Sequence, residues 1–103
     1  MRFKVEHHDE IVVFSLKQPR LDAEISAQLK AELLIVCQPN IDALVFDLTE
    51  VDFVDSSGLG AILLANRQLK EYEIPIIIAG SKNQVMEMFS ILRKTLWTCI
   101  VGP

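Results

Sequence analysis

The sequence predicts a single α/β domain in which a mixed β-sheet, made of an N-terminal hairpin plus parallel strands, is packed with helices. The chain has 103 residues, which leaves room for one domain. Hydrophobic residues make up 50% and charged residues 23%, a globular composition and not a disordered one. Strand-like and helix-like segments follow in the order β-β-α-β-α-β-α-β, and a strand–helix–strand unit requires parallel strands.

Two short segments at the start of the chain, Phe3 to His8 and Ile11 to Leu16, alternate as strands do. They predict an antiparallel hairpin with its turn at Asp9-Glu10. Pro19 ends the second strand because proline has no N–H to donate to a sheet.

The stretch from Leu21 to Cys37 predicts the first helix. It is rich in Ala, Glu, Gln, Lys and Leu, which favour helices, and it is too long for a typical strand. Asp22 stands where an N-cap is expected. One face of this helix is apolar and consists of Leu21, Ile25, Leu29, Leu33 and Val36.

Two continuous apolar runs, Ala43 to Leu48 and Pro75 to Ala79, predict strands that are buried on both faces. Asp47 closes the first run, and proline suits the first position of the second. Between them, Ser57 to Tyr72 predicts the second helix, with one side formed by Leu59, Ile62, Leu63, Asn66 and Leu69.

The last part of the chain predicts one more helix and one more strand. Apolar residues recur at helical spacing from Lys82 to Leu96. Trp97 to Val101 is short and apolar, and it predicts a final strand before the C-terminal Gly-Pro.

Charge and composition exclude several function classes. The chain holds 14 acidic and 10 basic residues, which argues against a direct nucleic-acid partner because phosphate binding needs a basic surface. Residues 1–60 hold 11 acidic and 5 basic residues, an excess suited to a basic partner. No apolar run approaches the about 18 residues of a membrane helix, and the N-terminus lacks the apolar core of a signal peptide. We therefore expect a cytoplasmic protein without a membrane segment.

The cysteines and histidines predict no metal site and no cofactor. Cys37 and Cys99 fit no metal-binding spacing and are expected to be free buried thiols. His7 and His8 would point to opposite faces of a strand, so they cannot share a metal by themselves. With no other histidine in the chain, we do not expect a histidine-based catalytic triad either.

The stretch most informative about function, DLTEVDFVDSSGLG, covers residues 47–60. It leaves the first buried strand, crosses an acidic loop and enters the second helix at two serines. A phosphate cradle for a nucleotide is disfavoured, because the stretch has no lysine and its acidic residues would repel phosphates.

The residues at the helix start allow two interpretations. Asp55 or Ser56 suits an N-cap that merely stops fraying. Ser57 would lie in the first turn, where the positive end of a helix stabilises a phosphate. Gly58 and Gly60 cost helix propensity, roughly 1 kcal/mol each relative to alanine, and they would let another chain approach the backbone closely.

In this context, Asp55-Ser56-Ser57-Gly58-Leu59-Gly60 resembles the phosphorylation motif of STAS domains. Within that family it resembles the bacterial anti-sigma factor antagonists, also called anti-anti-sigma factors. Element order, chain length and the Leu21-Asp22 pair agree, so the resemblance covers residues 1–103 as one STAS domain. One departure is Pro19-Arg20, because many members carry a glycine shortly before the Leu-Asp pair.

The resemblance assigns the roles of the motif residues. It implies that Ser57, which directly precedes Gly-Leu-Gly, is the phosphorylated residue. It further implies a set of partner-binding residues or neighbours of the phosphorylation site: Asp22, Asp55, Ser56, Gly58, Leu59 and Gly60.

The mechanism that the resemblance implies is a partner switch. The unphosphorylated protein binds an ATPase-fold protein that is both an anti-sigma factor and a serine kinase, and thereby frees a sigma factor. The kinase then phosphorylates Ser57 and the complex weakens, until a serine phosphatase restores the serine. The chain is then a substrate and not an enzyme.

Three alternatives come from other classes. A receiver phosphorylated on Asp47 would need an acidic pair beside a metal, whereas Asp9-Glu10 lies in the hairpin turn. An enzyme with Ser56 or Ser57 as nucleophile would lack a base, since no histidine follows Asp47. The main alternative is a STAS scaffold or regulatory subunit of another signalling or transport complex, and a pull-down of its partners would separate it from the switch.

Overall fold

The computed structural model of the chain describes residues 1–80 and, by their backbone, residues 98–101. The predicted third helix and Trp97 lie outside the described residues. The elements in chain order are β1 (Phe3–His8), β2 (Ile11–Leu16), β3 (Arg20–Leu21), α1 (Ala23–Val36), β4 (Ala43–Asp47), β5 (Phe53–Val54), α2 (Ser56–Lys70), β6 (Ile76–Ala79) and β7 (Thr98–Val101).

Five strands form one mixed sheet in the order β1-β2-β4-β6-β7. β1 pairs antiparallel with β2, and every other neighbouring pair is parallel. The hairpin turns at Asp9, whose φ of 59° is a left-handed conformation that aspartate adopts more readily than most residues. The predicted mixed sheet, with an antiparallel hairpin and parallel strands, is confirmed.

The core lies on one face of this sheet, under α1 and α2. Alternate side chains of the strands are buried there, and Phe14 and Phe46 bring their ring centroids to 5.4 Å. The helices contribute Leu29 and Leu33 from α1 and, from α2, Ala61, Ile62, Ala65 and Leu69.

The prediction that two strands are buried on both faces is wrong. In β4, Val45 and Asp47 are only partly buried, and in β6 the same holds for Ile77 and Ala79. These residues alternate with fully buried ones, as expected for strands that have one face covered more completely than the other. A continuous apolar run does not reveal this difference, because β-branched residues suit either face.

A separate pair of strands, β3 and β5, was not predicted from the sequence. They form a two-stranded parallel sheet, called the ribbon below, in which Arg20 is opposite Phe53 and Leu21 is opposite Val54. The carbonyl of Pro19 extends the pairing by accepting a hydrogen bond from the Phe53 N–H at 3.1 Å.

The ribbon sets where both helices begin. α1 directly follows β3, and α2 directly follows β5, with Asp22 and Asp55 as the respective links. Since the two strands run parallel, the first turns of the two helices lie side by side. Leu21 therefore belongs to the ribbon. The sequence-based prediction that the first helix begins at Leu21 is wrong.

Candidate functional site

Aspartates cap both helix starts. The Oδ1 atom of Asp22 accepts a hydrogen bond from the Glu24 N–H at 3.1 Å, and Oδ1 of Asp55 accepts one from the Gly58 N–H at 2.9 Å. Each carboxylate thus satisfies a backbone donor that has no partner within its own helix. The predicted cap at Asp22 is confirmed, and of the two candidates for the second helix the structure selects Asp55.

Gly58 is buried where α2 touches the ribbon. A Cβ at this position would overlap the Leu21 carbonyl oxygen and would lie 2.6 Å from Leu21 Cγ, too close for any side chain. The same carbonyl accepts a hydrogen bond from the Asp55 N–H at 3.1 Å. The prediction that Gly58 opens the backbone to another chain is therefore wrong, since the close approach is made within the chain.

Gly60 differs from Gly58, because a Cβ there would meet nothing within 4 Å. Leu59 lies between them, partly buried and packed against the core. Of these three motif residues, only Gly60 leaves bare backbone that a partner can reach.

Ser57 lies in the first turn of α2 on the flank that faces α1. It precedes Gln68 by about three helical turns, so the two residues share one flank. Gln68 Nε2 donates a hydrogen bond to the Cys37 carbonyl at the end of α1, at 2.8 Å. This flank of α2 therefore faces α1. Ser57 is partly buried and Ser56 is exposed. The structure therefore brings Ser57, Asp22 and Asp55 to the same pair of helix starts.

An exposed arginine–aromatic pair borders these helix starts on the ribbon. The Arg20 guanidinium carbon lies 4.2 Å from the centroid of the Phe53 ring, a cation–π contact. Arg20 Nε also donates to Asp22 Oδ2 at 3.2 Å. Sequence analysis missed this pair, because two strands of two residues each carry no periodic pattern that would indicate their register.

Asp47 is the residue that would be phosphorylated if the chain were a receiver domain. Both of its carboxylate oxygens accept hydrogen bonds from neighbouring residues. Oδ1 accepts from the amide of Thr49 at 3.0 Å and from its hydroxyl, and Oδ2 accepts from the Ser15 hydroxyl at 3.1 Å. Burial raises the pKa of Asp47, but the hydrogen bonds from Thr49 and Ser15 outweigh it and hold the pKa below its ordinary value of 3.8. Asp47 thus serves to close the loop that follows β4.

Cys37 lies at the C-terminal end of α1, away from the helix starts. Cys37 is a free buried thiol, as predicted, and burial raises its pKa to about 11. The side chain of Cys99 lies outside the described residues. Within residues 1–80 and 98–101, no group of three or more His, Cys, Asp or Glu side chains is arranged to hold a metal ion. No helix in this described part combines the length and apolarity needed to cross a membrane.

The sequence profile of the STAS domain matches residues 2–95 of the chain. A candidate anti-sigma factor antagonist of Bordetella bronchiseptica, BtrV, is 32% identical over 81 residues, which are 78% of this chain and 62% of that relative. The chain therefore spans less than two thirds of that relative's length. The anti-sigma-B factor antagonist of Listeria monocytogenes is 26% identical over 91 residues, which are 88% of this chain and 78% of that one.

The fold is that of the anti-sigma factor antagonist SpoIIAA of Bacillus. The structure of its unphosphorylated form matches with a TM-score of 0.73 and 24% identity, covering 87% of this chain and 83% of that one. Its phosphorylated form matches with a TM-score of 0.75 and 23% identity, covering 96% and 90%.

Proposed function

Because the chain belongs to the STAS domain family, we propose that it is an anti-sigma factor antagonist that phosphorylation of Ser57 switches off. In the proposed cycle the unphosphorylated protein binds an anti-sigma factor that is also an ATPase-fold serine kinase, and so frees a sigma factor. Phosphorylation weakens this complex, and a serine phosphatase reverses it. The chain is a regulator and a kinase substrate in this cycle, without catalysis of its own. The names of its Bordetella and Listeria relatives support the proposal.

The position of Ser57 carries the proposal. It lies in the first turn of α2, on the flank facing α1, and is partly accessible. The caps Asp22 and Asp55 lie at the same helix starts. A phosphate adds about 1.5 to 2 negative charges beside these carboxylates. Its bulk at the two helix starts would oppose the close packing of a partner there, and its charge would add to the repulsion that these carboxylates exert on any acidic group of the partner.

The fold is suited to a switch that changes a surface and leaves the core intact. The core lies between the sheet and the helices, on side chains such as Leu44 and Phe46, which are 0% exposed. A negative charge in the first turn of a helix is tolerated by the helix dipole. Phosphorylation is therefore expected to act on docking and not on folding.

Mass spectrometry tests the modification. The intact protein, incubated with ATP and each purified ATPase-fold serine kinase of the source genome, should gain about 80 Da, the mass of one phosphate added. Ser57→Ala should abolish the gain, and the matched control Ser56→Ala should keep it. A phosphate that maps to Ser56 or Thr49 would contradict the assignment.

A pull-down from the native cell tests the partner. Recovery of an ATPase-fold kinase by the unphosphorylated protein, and its loss after phosphorylation, would support the switch. Recovery of other STAS proteins or transporter subunits without such a kinase would favour the scaffold alternative.

Asp22→Asn tests whether Asp22 does more than cap α1. Asparagine caps a helix about as well as aspartate but carries no charge. If Asp22 belongs to the docking surface, the melting temperature should stay nearly constant while phosphorylation of Ser57 slows severalfold. Unchanged kinetics would leave Asp22 with a capping role alone.

A further inference from the structure

We propose that Arg20 binds the phosphate on Ser57 within the same chain, and that its guanidinium leaves the Asp22 carboxylate to do so. The inference rests on the proposed phosphorylation of Ser57. It assigns a phosphate-binding role to Arg20, a residue of the ribbon.

The ribbon holds the Arg20 guanidinium over an aromatic ring. Arg20 is opposite Phe53 in the register of β3 and β5, and its guanidinium carbon lies 4.2 Å from the ring centroid. The guanidinium carries its N–H donors in a rigid planar fork. These donors are the groups that bind two phosphate oxygens at once.

The bond from Arg20 to Asp22 can be given up at low cost. Asp22 uses Oδ1 for its cap on the Glu24 N–H and Oδ2 for Arg20, so α1 keeps its cap when Arg20 leaves. The Arg20 side chain is 60% exposed and the Asp22 side chain 17% exposed, so water reaches the arginine side of the pair and weakens the attraction there. A phosphate carries more charge than a carboxylate and is the stronger acceptor for a guanidinium.

The contact between α2 and the ribbon brings the backbone of Ser57 close to that of Arg20. Gly58 packs directly on the backbone of Leu21. Ser57 precedes Gly58 and Arg20 precedes Leu21, so each is one residue from this contact. Ser57 is also on the flank of α2 that faces α1, the helix that Asp22 caps. The proposal requires the Arg20 side chain to turn from Asp22 toward Ser57 by rotation about its flexible stem.

Phosphoserine placed at position 57 during translation tests the proposal without any kinase. The second pKa of the phosphate, ordinarily about 6, is measured by phosphorus NMR during a pH titration of the full chain. Arg20→Gln should raise it by at least about 0.5 pH unit, a roughly threefold change in proton affinity. The matched control Lys17→Gln removes the same charge from a residue that pairs with Glu50 at 3.1 Å, and it should leave the pKa within about 0.1 unit. Equal pKa values in the two variants would overturn the proposal.

A second measurement needs no substitution at Arg20 and decides the matter even where Arg20→Gln fails to fold. The Nε–H resonance of Arg20 should shift between the unphosphorylated protein and the protein with phosphoserine at position 57. An unmoved resonance would overturn the proposal. Phosphorylated protein that binds the anti-sigma kinase as tightly as before would instead overturn the proposed function, so the two failures are distinguishable.

Discussion

The five-stranded sheet and the ribbon differ in how far their side chains are buried. Phe46, in the middle of the sheet, is 0% exposed. The ribbon buries Leu21 and Val54 on one side, but on the other side Phe53 is 40% exposed. The sheet therefore stabilises the chain, and the ribbon positions two helix starts and presents side chains to solvent. Stability and the candidate site can consequently be changed separately, which the following substitutions test.

Phe46→Ala is expected to have the largest effect, on stability. Truncating a fully buried phenylalanine costs about 3–5 kcal/mol of the free energy of unfolding, because apolar contact is lost and a cavity remains. Urea denaturation measures the loss. A loss below about 1 kcal/mol, typical of an exposed site, would contradict the assigned core.

Gly58→Ala is expected to disturb the join between the ribbon and α2. The added methyl group meets the Leu21 backbone, and such overpacking costs about 1–3 kcal/mol. Gly60→Ala is the matched control, because it adds the same methyl group in open space and should gain up to about 1 kcal/mol in helix propensity. Effects of the same sign in urea denaturation would contradict the packing of Gly58.

Ser57→Asp should change binding and leave folding nearly unaltered. Affinity for the proposed partner, an anti-sigma factor that is also a serine kinase, is expected to fall at least about tenfold, or ~1.4 kcal/mol, as measured by calorimetry. Ser57→Asn has the same shape without the charge and should retain more of the affinity. A Ser57→Asp protein that is unfolded would show that the residue supports the structure instead.

Asp55→Ala should lower the free energy of unfolding by about 1 kcal/mol, because it removes the cap on the Gly58 N–H. Asp55→Asn should restore nearly all of it, since asparagine caps without a charge. If the melting temperatures of the two variants are equal, the cap contributes nothing and the negative charge of Asp55 is what matters.

Local features of this chain were predictable from its sequence. The two hairpin strands have the predicted bounds, and Asp22 caps its helix as predicted, because alternation and capping depend on neighbouring residues alone. The ribbon was not predictable, since Arg20 and Phe53 meet only through a pairing of two residues with two. The role of Gly58 was mistaken for the same reason, because its neighbour Leu21 is distant in sequence.

The parallel pairing in the ribbon also bears on the order of folding. Residues 20–21 and 53–54 are paired across a segment that contains all of α1 and β4. Contacts of this kind form after the intervening chain has closed into a loop, whereas a hairpin or a helix forms locally. A nascent or partly unfolded chain therefore contains the serines but lacks the paired helix starts. A partner that docks on both helix starts, as proposed, would therefore bind the folded domain and not its incomplete forms.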